Sequence, residues 1–270
     1  MRFARALGCA AALAASSAGA VALTPQLDIE SIETPDSVKG EIRAMVDYPF
    51  SAVSAPLRQA AQWCEILILH INVKSCRASG VEPATRLRVF IGSKSDESID
   101  DAYPVDFAYS VAEDGASQLQ VTLRADTGPL GTHDYLIVLD VAPASGGRTL
   151  LRLSYSYSYG MVARLAMQVY LATVGRGKVG FTVIATDAAG APRYVGGMRG
   201  VTERNTMRYY VAVDAYLGAL SVPPKGRLEK SLRDWYAGIE RYPRQLHEME
   251  EGDYLAMKRG EHARQQPKPL

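Results

Sequence analysis

The sequence predicts an α+β fold: a bent antiparallel β-sheet wrapped around a long C-terminal helix, with an extra charged helical tail. Apolar and polar residues alternate with period two in successive segments between residues 73 and 159, which indicates consecutive strands. Helical periodicity appears before these strands at 54–67 and after them at 203–220. A strand and a helix, then several antiparallel strands, then a long helix is an α+β order of elements.

Residues 1–22 are predicted to be a cleavable signal peptide. Arg2 and Arg5 supply the positive start, an uncharged Ala/Leu-rich stretch follows, and the small residues ending at Ala22 fit the rule for cleavage. The apolar stretch is too short and too rich in Ala and Ser to span a membrane. We therefore expect an exported protein of the bacterial periplasm, without a transmembrane segment after signal cleavage.

The charge balance argues against nucleic acid as a partner. The chain has 30 basic and 29 acidic residues, and loss of Arg2 and Arg5 leaves 28 against 29, a net charge of −1. Phosphate binding requires a clustered basic surface. The apolar fraction of 47% indicates a packed core.

Signal cleavage would also remove Cys9 and leave two cysteines, Cys64 and Cys76. In an oxidising compartment a lone pair of cysteines usually bonds, so a Cys64–Cys76 disulfide is predicted. Two buried free thiols are the alternative.

The first secondary-structure elements are predicted from local composition, alternation and a helix-capping residue. Residues 23–38 are rich in Pro, Glu and Asp and are predicted to be extended, and 40–48 alternate as a first strand. A helix is predicted over 54–67, with Ser51 or Ser54 as its N-cap.

Six further strands are predicted, and the last is the most regular. In that strand Tyr155, Tyr157 and Tyr159 face one way while serines face the other. Such alternation places one face of a sheet on a core and the other in water. The six segments are 73–78, 85–91, 105–111, 118–124, 135–141 and 149–159.

After the strands the pattern changes period. A helix is predicted over 161–173, a strand over 178–185, a Gly-rich loop over 188–200, and a long helix over 203–220 with Thr202 as its N-cap.

Residues 223–270 are predicted to form an amphipathic helical extension. The extension is charged, and it could pack on the domain, bind a protein partner or lie on a membrane. Its mixed charge argues against a strongly anchored interfacial helix, so packing or partner contact is expected.

Residues 40–66 (GEIRAMVDYPFSAVSAPLRQAAQWCEI) resemble the opening of the START-like, or polyketide-cyclase-like (SRPBCC), helix-grip superfamily. The resemblance lies in a strand, a Pro-Phe step into a helix and a Trp near the helix end, and 203–220 stands where the gripping helix belongs. It implies a helix-grip domain over 39–222 that binds a lipid or another apolar small molecule between sheet and helix. The 161–173 helix departs from the simplest members and would be a lid if it covers the cavity.

Three tyrosines are candidate ligand-binding residues. Tyr155, Tyr157 and Tyr159 share one strand face, and their rings offer an amphipathic ligand apolar walls with hydroxyl tips. The alternative is that they are ordinary core or sheet aromatics.

The 203–220 helix supplies further candidates. Met207, Tyr210 and Asp214 lie on its inward stripe, where burial would raise the pKa of a carboxyl group. Arg204 and Arg208 are four residues apart and share a face, on which they would meet a ligand carboxylate or an anionic lipid head. The alternative for the arginines is a solvated face with local ion pairs.

No catalytic or metal-binding constellation is predicted. His133 and Asp134 are adjacent on a strand, where neighbours point to opposite faces, and the sequence has no Gly-x-Ser-x-Gly nucleophile motif. The histidines and cysteines lack metal-ligand spacing, so neither a metal nor a cofactor is expected.

Three functional classes remain open from the residues. The first is an exported binding or carrier protein for a hydrophobic small molecule or lipid. The second is a cavity enzyme of cyclase or hydratase type, with Asp134 or Asp214 as its acid/base. The third is a non-catalytic interaction module that uses the charged extension.

Overall fold

The computed structural model describes residues 27–114, 117–173 and 175–266. The predicted signal peptide and the first residues after it lie outside these ranges.

Eight strands form one antiparallel sheet in the order β1-β2-β8-β7-β6-β5-β4-β3. A separate hairpin joins β9 to β10, and the described residues also form seven α-helices and three short 3-10 helices. The strands are β1 (Asp28–Glu33), β2 (Ser37–Val46), β3 (Val73–Ser79), β4 (Arg86–Ile91), β5 (Tyr103–Asp114), β6 (Gln118–Thr127), β7 (Thr132–Pro143), β8 (Thr149–Tyr159), β9 (Val183–Thr186) and β10 (Pro192–Tyr194). The helices are α1 (Phe50–Leu57), α2 (Ala60–Leu67), α3 (Met161–Ala172), α4 (Gly197–Ala219), α5 (Pro224–Ile239), α6 (Pro243–Leu246) and α7 (Glu251–Gln265).

The sheet is bent. Val73 on β3 and Tyr155 on β8 line one cavity, although five inter-strand steps separate their strands. In a flat sheet those steps would span roughly 24 Å. The predicted α+β class, with a bent antiparallel sheet wrapped around a long helix, is therefore confirmed.

The period-two pattern of β8 is confirmed. Leu151, Leu153 and the three tyrosines are buried, while the residues between them are exposed or half-buried. Tyr155 pairs with Gly40 on β2 and with Ile137 on β7, so its ring lies over the middle of the sheet's inner face.

Helix α4 packs closely on both sides. It contacts β1, β2 and β8 on one side and α5 on the other. A Cβ at Gly40 would collide with Oγ1 of Thr206, and a Cβ at Gly238 would lie 2.6 Å from Cγ1 of Val211. Glycine at these two positions lets the helix approach both β2 and α5.

The helix predicted over 54–67 is wrong as a single element, because the chain forms α1 and α2 with a break at Gln59. Pro56 removes one helical N–H bond inside α1. The carbonyl of Leu57 at the end of α1 instead accepts hydrogen bonds from the indole of Trp63 and the hydroxyl of Tyr109, both at 2.9 Å. The predicted serine caps are also wrong, since Pro49 is the N-cap and makes no side-chain capping bond.

The strand predicted over 178–185 is wrong in its bounds: the strand is Val183–Thr186, and before it the amide of Gly180 and the carbonyl of Thr182 bond to Val195. The amides of Phe181 and Thr182 donate instead to Oε2 of Glu203, at 2.6 and 2.9 Å. A side chain of α4 thereby satisfies backbone groups that a sheet partner would otherwise have satisfied.

Thr202 is not a cap, because α4 begins five residues earlier, after Gly196. Its hydroxyl lies inside the helix and donates to the carbonyl of Met198 at 2.9 Å. The predicted loop at 188–200 also contains β10 and the first turn of α4.

The C-terminal extension packs on the domain. Trp235 on α5 and Tyr254 on α7 are fully buried and stack with ring centroids 4.7 Å apart. Nζ of Lys258 donates to the carbonyls of His70 and Val73, at 3.0 and 2.7 Å, and Glu261 pairs with both Lys258 and Lys74. The extension therefore holds the connection between α2 and β3 in place. Its predicted contact with a protein partner remains a prediction.

The predicted disulfide is present. Cys64 on α2 and Cys76 on β3 are bonded, with Cα atoms 5.1 Å apart. The bond ties a helix to the edge strand of the sheet.

Replacing both cysteines with serine should lower the free energy of unfolding by about 3 kcal/mol, because a crosslink twelve residues apart restricts the unfolded chain. Urea denaturation of the oxidised protein and of the double variant measures the difference. Equal midpoints and slopes would show that the crosslink adds no stability.

Candidate functional site

A cavity of about 340 Å³, here called the tyrosine cavity, lies between the sheet and helices α3 and α4. Four tyrosines of the sheet and α4 form its inner aromatic wall, a fifth, Tyr170, lines it from α3, and the wall continues with Val73, Ile91 and Met167. The four inner tyrosines are Tyr135 on β7, Tyr155 and Tyr157 on β8, and Tyr209 on α4.

The tyrosine rings contact one another in a continuous cluster. The ring of Tyr157 stacks on Tyr135 with centroids 5.3 Å apart, and Tyr155 lies 5.3 Å from Tyr209. Burial raises the pKa of Tyr155, Tyr157 and Tyr209 above its usual range. The phenols are therefore neutral near pH 7, and they present apolar faces with hydroxyl tips.

One end of the tyrosine cavity is basic. Lys94, Arg204 and Arg208 line it, and both arginines are 2% exposed. The alternative of a solvated arginine face is wrong, because α5, α6 and the segment that follows them cover this side of α4. Burial lowers the pKa of both guanidinium groups, although they remain cationic.

Glu248 lies behind this basic end and is shared among three cations. Its carboxylate oxygens lie 2.6 Å from Nζ of Lys94 and 2.7 Å from Arg208, and Lys178 also pairs with it. Burial opposes ionisation of Glu248, but the charges of Arg208 and Lys94 lower its pKa to about 2. The carboxylate is thus ionised and already fully engaged.

His70 supplies a free donor at the same end. It is 3% exposed, lines the cavity and stacks on Tyr209 with centroids 4.7 Å apart. Its Nδ1 accepts the amide N–H of Asn72 at 3.2 Å, and burial lowers its pKa well below the usual value. The neutral ring therefore carries its proton on Nε2, which has no partner among the described residues.

Helix α3 forms the outer wall of the tyrosine cavity, through Ala163, Ala166, Met167 and Tyr170. Ala163 is the one buried residue of this twelve-residue helix among the described residues. An element held by so few buried contacts opens at low free-energy cost.

A second cavity, the α4–α5 cleft, has a volume of about 640 Å³ and a more polar lining. Met207, Tyr210 and Asp214 line it together with charged residues of α5. Burial raises the pKa of Asp214, and Arg241 opposes that shift.

The structure therefore divides the seven predicted ligand-binding residues among three places. Tyr155, Tyr157 and Arg204 line the tyrosine cavity, while Met207, Tyr210 and Asp214 line the α4–α5 cleft. Tyr159 lines instead a separate pocket of about 360 Å³ beside Arg164, and its hydroxyl donates to the carbonyl of Thr34 at 3.2 Å. The inward stripe of α4 thus faces α5 as well as the sheet.

The geometry expected of His133 and Asp134 is wrong. Nδ1 of His133 lies 2.9 Å from a carboxylate oxygen of Asp134, because Asp134 has a φ of +52° at an irregularity in β7. Both residues are exposed and neither lines the tyrosine cavity.

Within the described ranges, no group of three or more His, Cys, Asp or Glu side chains is placed to hold a metal ion. Nor is any helix there long and apolar enough to cross a membrane.

No protein-family model matches the sequence, and no curated protein matches it. Among solved structures, human StAR-related lipid transfer protein 5 matches with a TM-score of 0.35 and 10% identity, over 54% of this chain and 79% of that one. Norcoclaurine synthase from Thalictrum flavum matches with a TM-score of 0.33 and 11% identity, over 62% and 89%. The Zhui aromatase/cyclase of a Streptomyces species matches with a TM-score of 0.33 and 11% identity, over 49% and 70%.

These matches are START-like proteins, the superfamily that residues 40–66 resemble. At such low identities and TM-scores, nothing about the site follows from them. The fold assignment rests on the strand order and helix placement of this chain.

Sequence reasoning missed His70, Lys94, Tyr135 and Tyr209. His70 had a usable signal, because it interrupts the otherwise apolar run ILILHINV before Lys74, in which Asn72 is the other polar residue. The other three carry no signal in their local pattern, since the bend of the sheet brings them to the cavity.

Replacing Asp214 with Asn should raise the free energy of unfolding at pH 7. A folded-state pKa above the usual 3.8 means that the ionised carboxylate is destabilising, and the amide removes that cost. The gain should vanish as the pH falls below 3.8, where the carboxyl group is protonated in both states. Denaturation at several pH values measures it, with exposed Asp126→Asn as the control. A D214N variant less stable than the wild type at pH 7 would contradict a raised pKa of Asp214.

Proposed function

We propose that this chain is an exported binding or carrier protein that holds a hydrophobic small molecule or lipid in the tyrosine cavity. The observation that carries the proposal is a largely apolar cavity walled by four neutral phenols, with a few polar groups converging at one end. Ligand sites typically combine apolar walls with a small number of polar groups that orient the ligand.

Access past α3 fits a carrier. This helix covers the cavity with two alanines, Met167 and Tyr170, while Met161, Val162, Leu165 and Val169 point outward and are exposed. A wall with so little buried surface would let an apolar molecule enter and leave without unfolding the sheet. In this proposal α3 is the lid.

Export rests on the signal-peptide pattern at 1–22, and the disulfide supports it. A structural disulfide persists in oxidising compartments and is rare in the cytosol. We expect N-terminal sequencing of the secreted protein to find Leu23 at or near its start.

Neither candidate acid/base of the enzyme hypothesis lines the tyrosine cavity. Asp214 lies in the α4–α5 cleft and Asp134 lies exposed on β7, so neither can reach a molecule among the tyrosines. The carrier function uses the groups that do line the cavity.

Native mass spectrometry of the mature protein from its own kind of host, followed by solvent extraction, tests the proposal. We expect a co-purifying amphiphile at about one per chain. Protein that stays empty and also fails to take up a fluorescent fatty-acid analogue would contradict a carrier function.

Replacing Tyr157 with Leu should weaken binding of that analogue by up to about tenfold, because one aromatic face of the cavity is lost. Tyr159→Leu is the matched control, since it makes the same change on the same strand face outside the cavity. Tyr210→Leu probes the α4–α5 cleft. Fluorescence titration of the folded variants measures the three effects. If only Tyr210→Leu weakened binding of the analogue, the ligand would be in the α4–α5 cleft and not in the tyrosine cavity.

A further inference from the structure

The charges around the tyrosine cavity are unbalanced. Among the described residues that line it, three are cations and none is a carboxylate. Lys178 adds a fourth cation behind the wall, against the two nearby carboxylates Glu203 and Glu248. In a buried setting such an excess of positive charge is costly unless an anion compensates it.

The two carboxylates are already engaged elsewhere. Glu248 is divided among Lys94, Lys178 and Arg208. Glu203 accepts from the hydroxyl of Ser31 and from the amide and hydroxyl groups of the 181–182 segment. Arg204 makes no ion pair within 4.0 Å in the described chain, and its Nη1 donates to the carbonyl of Val179 at 3.3 Å.

Two buried nitrogen atoms at this end lack acceptors. They are Nε2 of His70 and Nε of Arg208, and they are the unpartnered buried side-chain polar atoms of the described residues. Both are N–H donors on residues that line the cavity. An unsatisfied buried donor is rare in a folded protein and destabilises it, so a ligand oxygen is the expected partner.

From these observations we infer that the ligand is a single-chain amphiphile whose carboxylate head lies against Arg204 and Arg208 and accepts a hydrogen bond from His70. This inference rests on the proposed function and names the chemistry of its ligand. The apolar chain lies along Tyr135, Tyr155 and Tyr157. A cavity of about 340 Å³ suits one chain rather than a two-chain phospholipid.

The test compares dodecanoate with dodecanol by calorimetric titration at pH 8, below the micelle concentration. The two molecules share one chain and differ in head charge. Hydrogen bonds to charged groups contribute more than neutral ones, so dodecanoate should bind at least about tenfold more tightly. Arg204→Gln should abolish this preference, because it weakens dodecanoate binding by a larger factor than dodecanol binding.

Two further variants separate charge from fold. Arg204→Lys keeps the cation and should retain most of the preference. Arg86→Gln removes an exposed arginine on β4 and should change nothing. Circular dichroism and thermal unfolding verify that each variant folds.

The outcomes distinguish the two claims. Equal binding of dodecanoate and dodecanol, or a preference that survives R204Q, would overturn the anionic head and leave the carrier function standing. Binding of neither molecule would contradict both claims. A preference that is lost in R204Q and retained in R204K and R86Q is the result that the inference requires.

Discussion

Burial of charge on α4 is the constraint on which the rest of the structure depends. Glu203, Arg204 and Arg208 lie within two turns of this helix and are almost fully buried. A buried charge is destabilising by several kcal/mol unless it is paired and hydrogen-bonded. The surrounding segments are therefore arranged to supply partners: Glu203 organises the 180–182 segment, and Glu248 meets Arg208.

The C-terminal extension consequently belongs to the architecture of the cavity. The segment after α6 brings Glu248 to the basic end, and Trp235 of α5 donates to the carbonyl of Arg208 at 3.2 Å. Lys258 of α7 holds the backbone of His70. The boundary expected at residue 222 falls between two helices that share one hydrophobic core.

Local sequence patterns predicted correctly those elements that have one face on the core and the other in water. The alternation of β8 follows from one buried and one exposed sheet face, so the orientation of Tyr155 and Tyr157 could be read directly. The break between α1 and α2 could not, because the carbonyl of Leu57 depends on Tyr109, 52 residues away. The prediction of a strand over 178–185 was wrong for the same reason. The carboxylate of Glu203 on α4, distant in sequence, accepts amide groups that a neighbouring strand would otherwise have bound.

The site was only partly accessible from sequence. Arg204 and Arg208 stood out by their spacing, but whether they meet water or a cavity depends on what covers α4. Tyr210 and Asp214 share an inward stripe, yet α4 is buried on several sides, so the stripe alone does not identify which neighbour it faces. His70 becomes informative only once its burial and its unpartnered Nε2 are known.

A crystal structure of the mature protein with dodecanoate tests the central claim most directly. The account predicts an acyl chain along Tyr155 and Tyr157, with the carboxylate about 3 Å from the Arg204 guanidinium and from Nε2 of His70. A ligand seated in the α4–α5 cleft, or a carboxylate directed toward solvent and away from Arg204, would contradict it.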